Sequence, residues 1–469
     1  MKIDIKKYRI IKLLKSLNKA ERSSFSRFLD SPYHNRRTDV KELYEQLQIY
    51  LEKGKLLSKE ELWQKCFAQK AFDDRQLRYL MSYLSKLFEQ FITVEASLSN
   101  AFTGKMELVR HLGRRFFYQL QESSLREAKK VLDKQPYQQA EYLFQSYEYC
   151  LEQAQLSSAY RPDQSPDFPA LEQAFEQAVL AMKMRQKVWS LNLQTVYKKK
   201  EKSSLLDRFV NDLDLADIGD HPAILIYWHA AQFLEHSRHE QHFQYFKSLL
   251  FSHSAIFPHE EARELYLLAI NFGVHRINQG QKSFSYDVLD LYKAGLKQAY
   301  LLTNGVLSRF TYHNIVTAAL QIDETAWAKS FSEEWMPKLE RRFRERMYNF
   351  CRAKIAYATQ EYDEALALLQ QSNYHDLLLN LGARTLLLKI FFDQKEWDAL
   401  DSHLDAFNVY LRRKAGLSYQ LIRYQNLIRF TKKILNIKFQ GQPKIDALKK
   451  QLVNEKILTE RNWLLACLE

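Results

Sequence analysis

The chain has 469 residues, too many for one compact core, so two or three domains or one extended repeat array are expected. Hydrophobic residues make up 46% of it and aromatic residues 13%, a composition that excludes wholesale disorder. It contains only 11 glycines and 9 prolines. Strand-rich folds need frequent turn residues, whereas helix interiors exclude both types, so the composition predicts an all-α fold.

The net charge is +13, and it is unevenly distributed. Residues 1–100 contain 20 Lys and Arg against 13 Asp and Glu, and therefore carry about half of the excess. A basic region of this kind favours a polyanionic partner such as nucleic acid, although it is also typical of a protein that is merely well solvated.

The cysteines are far apart in the sequence, at Cys66, Cys150, Cys351 and Cys467, with neither C-x-x-C nor zinc-like spacing. Scattered cysteines in a large chain indicate a reducing compartment. The first residues lack an apolar run of signal-peptide length, and no later stretch approaches the ~20 apolar residues of a membrane span. We therefore expect a cytoplasmic protein without a membrane span.

Residues 1–95 are predicted to form a basic helical head. Asn18 with Glu21, and Ser58 with Glu61, have the spacing of capping boxes, in which each side chain bonds the other residue's backbone amide. The Ser31-Pro32 pair should end the helix that Asn18 begins. The lysine-rich first helix carries an apolar stripe, which favours a buried helix over one that binds a lipid surface (Ile10, Ile11, Leu13, Leu14 and Leu17).

The most informative head element is a long helix that Asp73 should cap and that reaches about Phe91. Its apolar residues fall on one face, and Arg75, Arg78 and Lys86 fall on the opposite face. Together with the helix at Ser58, it suggests a helix-turn-helix that reads DNA. An ordinary amphipathic helix is the alternative, since the joint at 68–72 lacks glycine and two aspartates begin the helix that would approach phosphates.

The head also resembles the opening of helical proteins from Bacteroidetes-type bacteria that have no assigned activity. The resemblance rests on the segments Phe28–Tyr33 and Asp73–Ser82. It implies a relationship in fold and no particular activity.

A helical middle region is predicted at 96–219, with a proline-rich loop at 161–169 that contains Pro162, Pro166 and Pro169. A run of lysines from Lys198 to Lys202 is typical of a solvated face. A repeat array is expected at 220–440, followed by a C-terminal capping helix at 441–469.

The array is indicated by Trp327, Tyr362 and Trp397, which lie 35 residues apart. Small or apolar residues recur three after each aromatic (Ser330, Ala365 and Leu400) and nine before it (Ala318, Ala353 and Leu388). A period near 34 residues is that of paired antiparallel helices, each pair burying its apolar side against its neighbours.

Within the array, the segment Ala353–Leu369 resembles a tetratricopeptide repeat through Ala356-Tyr357 and Tyr362-Asp363-Glu364-Ala365-Leu366. Leu388 and Leu400 depart from the family's small residues, and no unit ends with its usual proline. The resemblance implies an α-solenoid of antiparallel helix pairs, whose usual work is to hold proteins or peptides.

Two polar clusters are candidate sites. Seven histidines lie between 221 and 259, and His236, His239 and His242 are spaced by three, which suits either a metal site or a surface cluster. The basic segment 338–354 contains Arg341, Arg344 and Arg346, which suit a groove for an acidic peptide or phosphates. The alternative is an ordinary amphipathic helix with Phe343, Met347 and Phe350 on its apolar side.

Nucleotide-binding, nucleophile-elbow and kinase motifs are all missing from the sequence. We therefore predict no catalytic residues, cofactor or metal, and a non-enzymatic interaction scaffold with a protein or peptide partner. The alternative is a nucleic-acid-binding regulator that docks through Arg75, Arg78 and Lys86.

Overall fold

The computed structural model describes residues 8–53, 58–67, 70–161, 163–197, 204–213, 215–235, 240–370, 376–414, 420–437, 442–455 and 457–469. Helices dominate these ranges, so the predicted all-α class is confirmed. The chain divides into two compact units, Met1–Lys183 and Met184–Glu469. The four-part division expected from the sequence stays a prediction.

The helices of the first unit follow one another with short connections. They are α1 Arg9–Ser16, α2 Lys19–Asp30, α3 Thr38–Lys53, α4 Lys59–Cys66, α5 Asp74–Ser99, α6 Ala101–Arg114, α7 Tyr118–Asp133, α8 Ala140–Tyr160 and the beginning of α9 Phe168–Tyr197.

The predicted caps of the head are confirmed. Asn18 and Ser58 each accept a hydrogen bond from the backbone amide three residues on, and the glutamates at 21 and 61 bond back to the cap amides. Asp73 accepts from the amides of the second and third residues after it and begins α5, which continues eight residues past Phe91. Each cap satisfies amides that the first helical turn leaves unpaired.

The head helices α1 to α5 enclose one apolar core. Phe25 is fully buried at its centre, with its ring centroid 4.9 Å from that of Tyr44, 5.5 Å from Phe88 and 5.1 Å from Phe91. The stripe predicted for α1 faces this core, with Leu13 only partly buried. Aromatic pairs at these separations add to the energy of area burial, so the centre of the head is its most strongly held part.

The rest of the first unit is built on α6, α7 and α8. Arg110 of α6 reaches Glu148 and Glu152 of α8, with nitrogen–oxygen distances of 2.8 and 2.9 Å. The predicted proline-rich loop separates α8 from α9, and the Asp167 carboxylate accepts from the Ala170 amide, 3.1 Å away, to start α9.

The second unit continues α9 and contains the remaining elements. Its helices are α10 Leu205–Asn211, α11 Leu215–Ile218, α12 Pro222–Glu235, α13 Glu240–His253, α14 His259–Asn278, α15 Phe284–Lys297, α16 Arg309–Leu320, α17 Thr325–Trp335, α18 Arg344–Ala358, α19 Tyr362–Gln370, α20 Leu377–Asp393, α21 Trp397–Arg413, α22 Gln420–Ile437, α23 Gln442–Asn454 and α24 Arg461–Ala466. Two short 3₁₀ helices lie at Ser254–Ile256 and Met336–Lys338, and β1 Leu302–Thr303 pairs antiparallel with β2 Val306–Leu307.

From α12 to α21 these helices pack as neighbouring pairs, as the sequence period predicts. The first helices of the later pairs also contact each other, α16 against α18 and α18 against α20. This adjacency places side chains from several pairs along one surface.

Four hairpins share one turn. Two residues before the second helix the backbone is left-handed, with φ of 61° at Phe116, 60° at Asp323, 63° at Gln360 and 61° at Lys395. The next residue's amide then donates to the carbonyl five positions earlier, over 2.8 to 3.1 Å (Phe117 to Leu112, Glu324 to Ala319, Glu361 to Ala356 and Glu396 to Phe391). This left-handed cap satisfies carbonyls at the end of the first helix.

The turns correct the register of the predicted repeat. They lie 37 residues apart from Asp323 to Gln360, and 35 apart from Gln360 to Lys395. Trp327 is therefore two residues further into its helix than Tyr362 and Trp397, which begin theirs. The buried counterpart of Ala365 is Ala328, whereas Ser330 is exposed, so its assignment to that position is wrong.

Several predictions fall on residues that the structure does not describe. The lysine run at 198–202 and the histidines at 236 and 239 lie outside the described residues. No helix in the described part of the chain has the length and apolar character needed to cross a bilayer.

Candidate functional site

A cavity of about 500 Å³ opens in the second unit among α16, α18, α20 and α22. We call it the groove. Its charged side chains are Arg309, Lys354, Asp376, Lys389, Arg423 and Glu460, and its apolar lining includes Phe310 and Phe350. Cavities of this size, apolar with a few polar groups, are typical of binding sites.

Close packing of α18 on α20 shapes the floor of the groove. A Cβ atom on Gly382 of α20 would lie 2.7 Å from Cζ of Phe350, so glycine allows the phenylalanine ring to lie directly against the helix. The Phe350 ring also stacks on His313, with centroids 5.6 Å apart.

Two of the cations in the groove are held by carboxylates. Arg309 pairs with Asp376 over 3.0 Å, and its guanidinium lies 3.9 Å from the ring centroid of Phe343. Lys389 pairs with Glu460 over 2.5 Å. These pairs fix the positions of both side chains and neutralise most of their charge.

Arg423 is different, because it is exposed and forms no ion pair within the described ranges. One end of Arg309 also remains unsatisfied, since its buried Nη1 finds no acceptor among the residues described. The groove therefore has hydrogen-bond donors and positive charge that the chain itself does not use.

Lys354 of α18 is partly buried in the groove wall. Its Nζ donates to Oγ1 of Thr317 over 2.6 Å and to Nε2 of His313 over 3.3 Å. Burial lowers the pKa of Lys354, because an enclosed ammonium loses its hydration. Burial, and secondarily the proximity of Lys354, lowers the pKa of His313 to about 3.

The groove does not include the arginines predicted to line it. Arg344 donates to the carbonyls of Pro337 and Leu339, over 2.6 and 3.1 Å, and so ties down the segment before α18. Arg341 is exposed and Arg346 partly buried, and neither forms an ion pair with another described residue. Arg346 lies one turn before Phe350, in the stripe that leads to Lys354. Partner binding by these three arginines stays a prediction.

In the head, Arg75, Arg78 and Lys86 are all exposed on the face of α5 opposite its buried side chains. Arg78 pairs with Asp74 over 3.1 Å. Arg78 and Lys86 border a surface cavity of about 310 Å³ between α1 and α5, which also contains Arg9 and Glu89. Nucleic-acid binding by this surface stays a prediction.

The histidine cluster is only partly described. His229 of α12 is 5% exposed, and its Nδ1 lies 2.9 Å from Nδ1 of His242 on α13. Burial, and secondarily repulsion from His242, lowers the pKa of His229 to about 4. Among the described residues, no group of three or more His, Cys, Asp or Glu side chains has metal-binding geometry.

Sequence reasoning missed the residues of the groove, although a signal was present. Lys354, Lys389 and Arg423 follow one another at 35 and 34 residues, which is the period of the helix pairs. Basic residues that recur at this period therefore identify the lining of the groove, whereas local runs of charge do not.

Comparisons with protein-family models, with curated proteins and with solved structures find no match to this chain.

Proposed function

We propose that this chain is a cytoplasmic, non-enzymatic scaffold of the tetratricopeptide-like α-solenoid type, and that its groove binds an acidic peptide segment. The observation that carries the proposal is the alignment of first helices from successive pairs around one open cavity. Helical arrays of this kind use the surface formed by successive repeats to hold extended partners.

The charges of the groove favour an acidic partner. Arg309 and Lys389 are already neutralised by carboxylates, whereas Arg423 is an exposed lining side chain that forms no ion pair with another described residue and could meet an incoming carboxylate. Arg346, one turn from Phe350 on α18, and the exposed Arg341 extend the unpaired positive charge toward the start of that helix. Guanidinium groups bind carboxylates with two parallel hydrogen bonds, which gives orientation as well as affinity.

The aromatic lining supplies the remaining contact. Phe310 is 49% exposed beside Arg309, so its ring is available to an apolar side chain of a bound peptide. An extended peptide with alternating acidic and apolar residues therefore suits the groove.

The test is binding of a fluorescent peptide library of graded charge to the purified full chain. We expect acid-rich peptides to bind, and the double substitution Arg346→Glu with Arg423→Glu to weaken their binding at least about tenfold at low salt, since it converts attraction to repulsion. Arg412→Glu, which reverses an exposed charge near the end of α21, is the matched control and should change affinity little. Binding that ignores peptide charge, or that both variants weaken equally, would rule out the groove as the site.

The alternative function is binding of nucleic acid by the head. What favours it is the exposed face of α5, where Arg75, Arg78 and Lys86 lie opposite the buried side chains. The ion pair of Arg78 with Asp74 leaves Arg75 and Lys86 as the side chains that could neutralise phosphates.

This alternative predicts strongly salt-dependent binding. Fluorescence anisotropy with mixed-sequence DNA and RNA gives the binding constant at a series of salt concentrations. The slope of its logarithm against the logarithm of salt concentration should decrease in magnitude by roughly 2 in the double variant Arg75→Glu with Lys86→Glu, because two phosphate contacts are lost. Lys134→Glu, an exposed charge reversal elsewhere in the first unit, is the control. Absence of binding at low salt, or an unchanged slope, would count against the alternative.

A further inference from the structure

Lys354 is a partly buried lysine on the lining of the groove. Among the described residues it forms no ion pair, and its two hydrogen-bond acceptors, Thr317 and His313, are uncharged. Keeping an ammonium group away from water without a carboxylate is unfavourable, so the neutral amine is stabilised instead. A neutral lysine amine has a free electron pair and is a nucleophile, whereas an exposed lysine is almost wholly protonated at neutral pH.

Burial is the main cause of this state. Lys389 and Glu460, an ion pair on the same lining, act on the charge of Lys354 in opposite directions, so burial decides the direction in which its pKa moves. Desolvation is a general way in which proteins activate lysine amines. His313 is held neutral, so its Nε2 remains an acceptor for the Lys354 amine.

The cavity gives a small molecule access to the amine. Its volume of about 500 Å³ accommodates a compound of metabolite size, and Arg423 on the same lining is exposed and forms no ion pair with another described residue. Phe310, whose side chain is 49% exposed, offers contact to a flat ring.

We propose that Lys354 is a reactive amine that captures a small aldehyde or ketone bearing an anionic group as a reversible imine. The Nζ electron pair attacks the carbonyl carbon, and a proton moves from nitrogen to oxygen to give a carbinolamine. Loss of one water molecule then forms the carbon–nitrogen double bond, and addition of water reverses it. The step needs no oxidant or reductant.

The experiment uses pyridoxal 5′-phosphate as the carbonyl probe, followed by borohydride reduction and peptide mapping by mass spectrometry on the full chain. At pH 7 and limiting probe we expect Lys354 to be labelled at least about tenfold faster than the exposed Lys329 of α17 in the same molecule. This internal ratio requires no variant, so it does not depend on whether a substituted chain folds. With pyridoxal, which lacks the phosphate that Arg423 would bind, the ratio of Lys354 to Lys329 labelling should be smaller. The ratio is the readout because pyridoxal forms an internal hemiacetal that slows its reaction with every amine.

The variants separate this inference from peptide binding. Lys354→Gln should abolish the fast label while acidic peptides still bind, and Lys329→Gln should leave the fast label unchanged. Labelling of Lys354 no faster than Lys329 would overturn the reactive amine, whatever the outcome of the peptide experiment.

Discussion

Replacing Phe25 with alanine is expected to lower the free energy of unfolding of the head helices by about 3–5 kcal/mol, the range found when a buried phenylalanine is truncated. Phe25 is fully buried and contacts aromatic rings from α2, α3 and α5. The head cannot close around the missing ring without moving three helices, so most of the vacated volume should persist as a cavity.

Hydrogen exchange measured by mass spectrometry over residues 8–99 is the suitable measurement, because it reports the head separately from the second unit. Tyr33→Ala is the matched control, since this aromatic side chain is 89% exposed, and it should change the protection by no more than about 0.5 kcal/mol. Equal loss of protection in both variants would contradict the assignment of Phe25 to the centre of the core.

Mild acidification is expected to destabilise the second unit. His229 and His313 have folded-state pKa values of about 4 and about 3, against 6.5 for the free side chain. Below pH 6.5 these histidines become protonated in the unfolded chain but stay neutral in the folded chain. Their contribution to the free energy of unfolding is therefore fully present above pH 6.5 and is lost as the pH falls toward 4. Each histidine should contribute on the order of 2 kcal/mol to this loss after allowance for solvent screening.

The measurement is urea unfolding at a series of pH values from 7.5 to 4.5, in which the change above pH 5.5 reports mainly histidine because ordinary carboxyl pKa values lie at least about one unit lower. Replacing His229 with glutamine should reduce the dependence of the free energy of unfolding on pH. The control is the same substitution at His275, which is exposed at the end of α14, and it should leave the pH dependence unchanged. A stability that does not change between pH 6.5 and 4.5 would show that neither imidazole is held neutral by the fold.

The helix caps and the buried face of α5 in the head could be predicted because they depend on residues close together in the sequence. The caps at Asn18, Ser58 and Asp73 depend on contacts within three residues, and the face of α5 depends on a period of 3.6 residues. These relations are set by the geometry of one helix, so the sequence alone determines them.

The groove could not be predicted in the same way, since it is assembled by residues more than 100 positions apart, from Arg309 to Glu460. The local density of positive charge predicted a site at Arg341, Arg344 and Arg346, yet Arg344 donates hydrogen bonds to the carbonyls of Pro337 and Leu339. A run of arginines in the sequence does not show which guanidinium groups are already hydrogen-bonded within the chain. Here that is decided by the conformation of the segment before α18.

The shared turn also explains why the repeat is faint in the sequence. Its defining feature is a left-handed backbone at Phe116, Asp323, Gln360 and Lys395, four residues of unrelated chemistry. The hydrogen bond that closes the turn joins an amide and a carbonyl of the main chain, so it does not depend on the type of side chain at that position. Glycine would adopt the same conformation without steric strain. The likeness of these hairpins therefore lies in the shape of the main chain, which the identities of the side chains at the turn do not reveal.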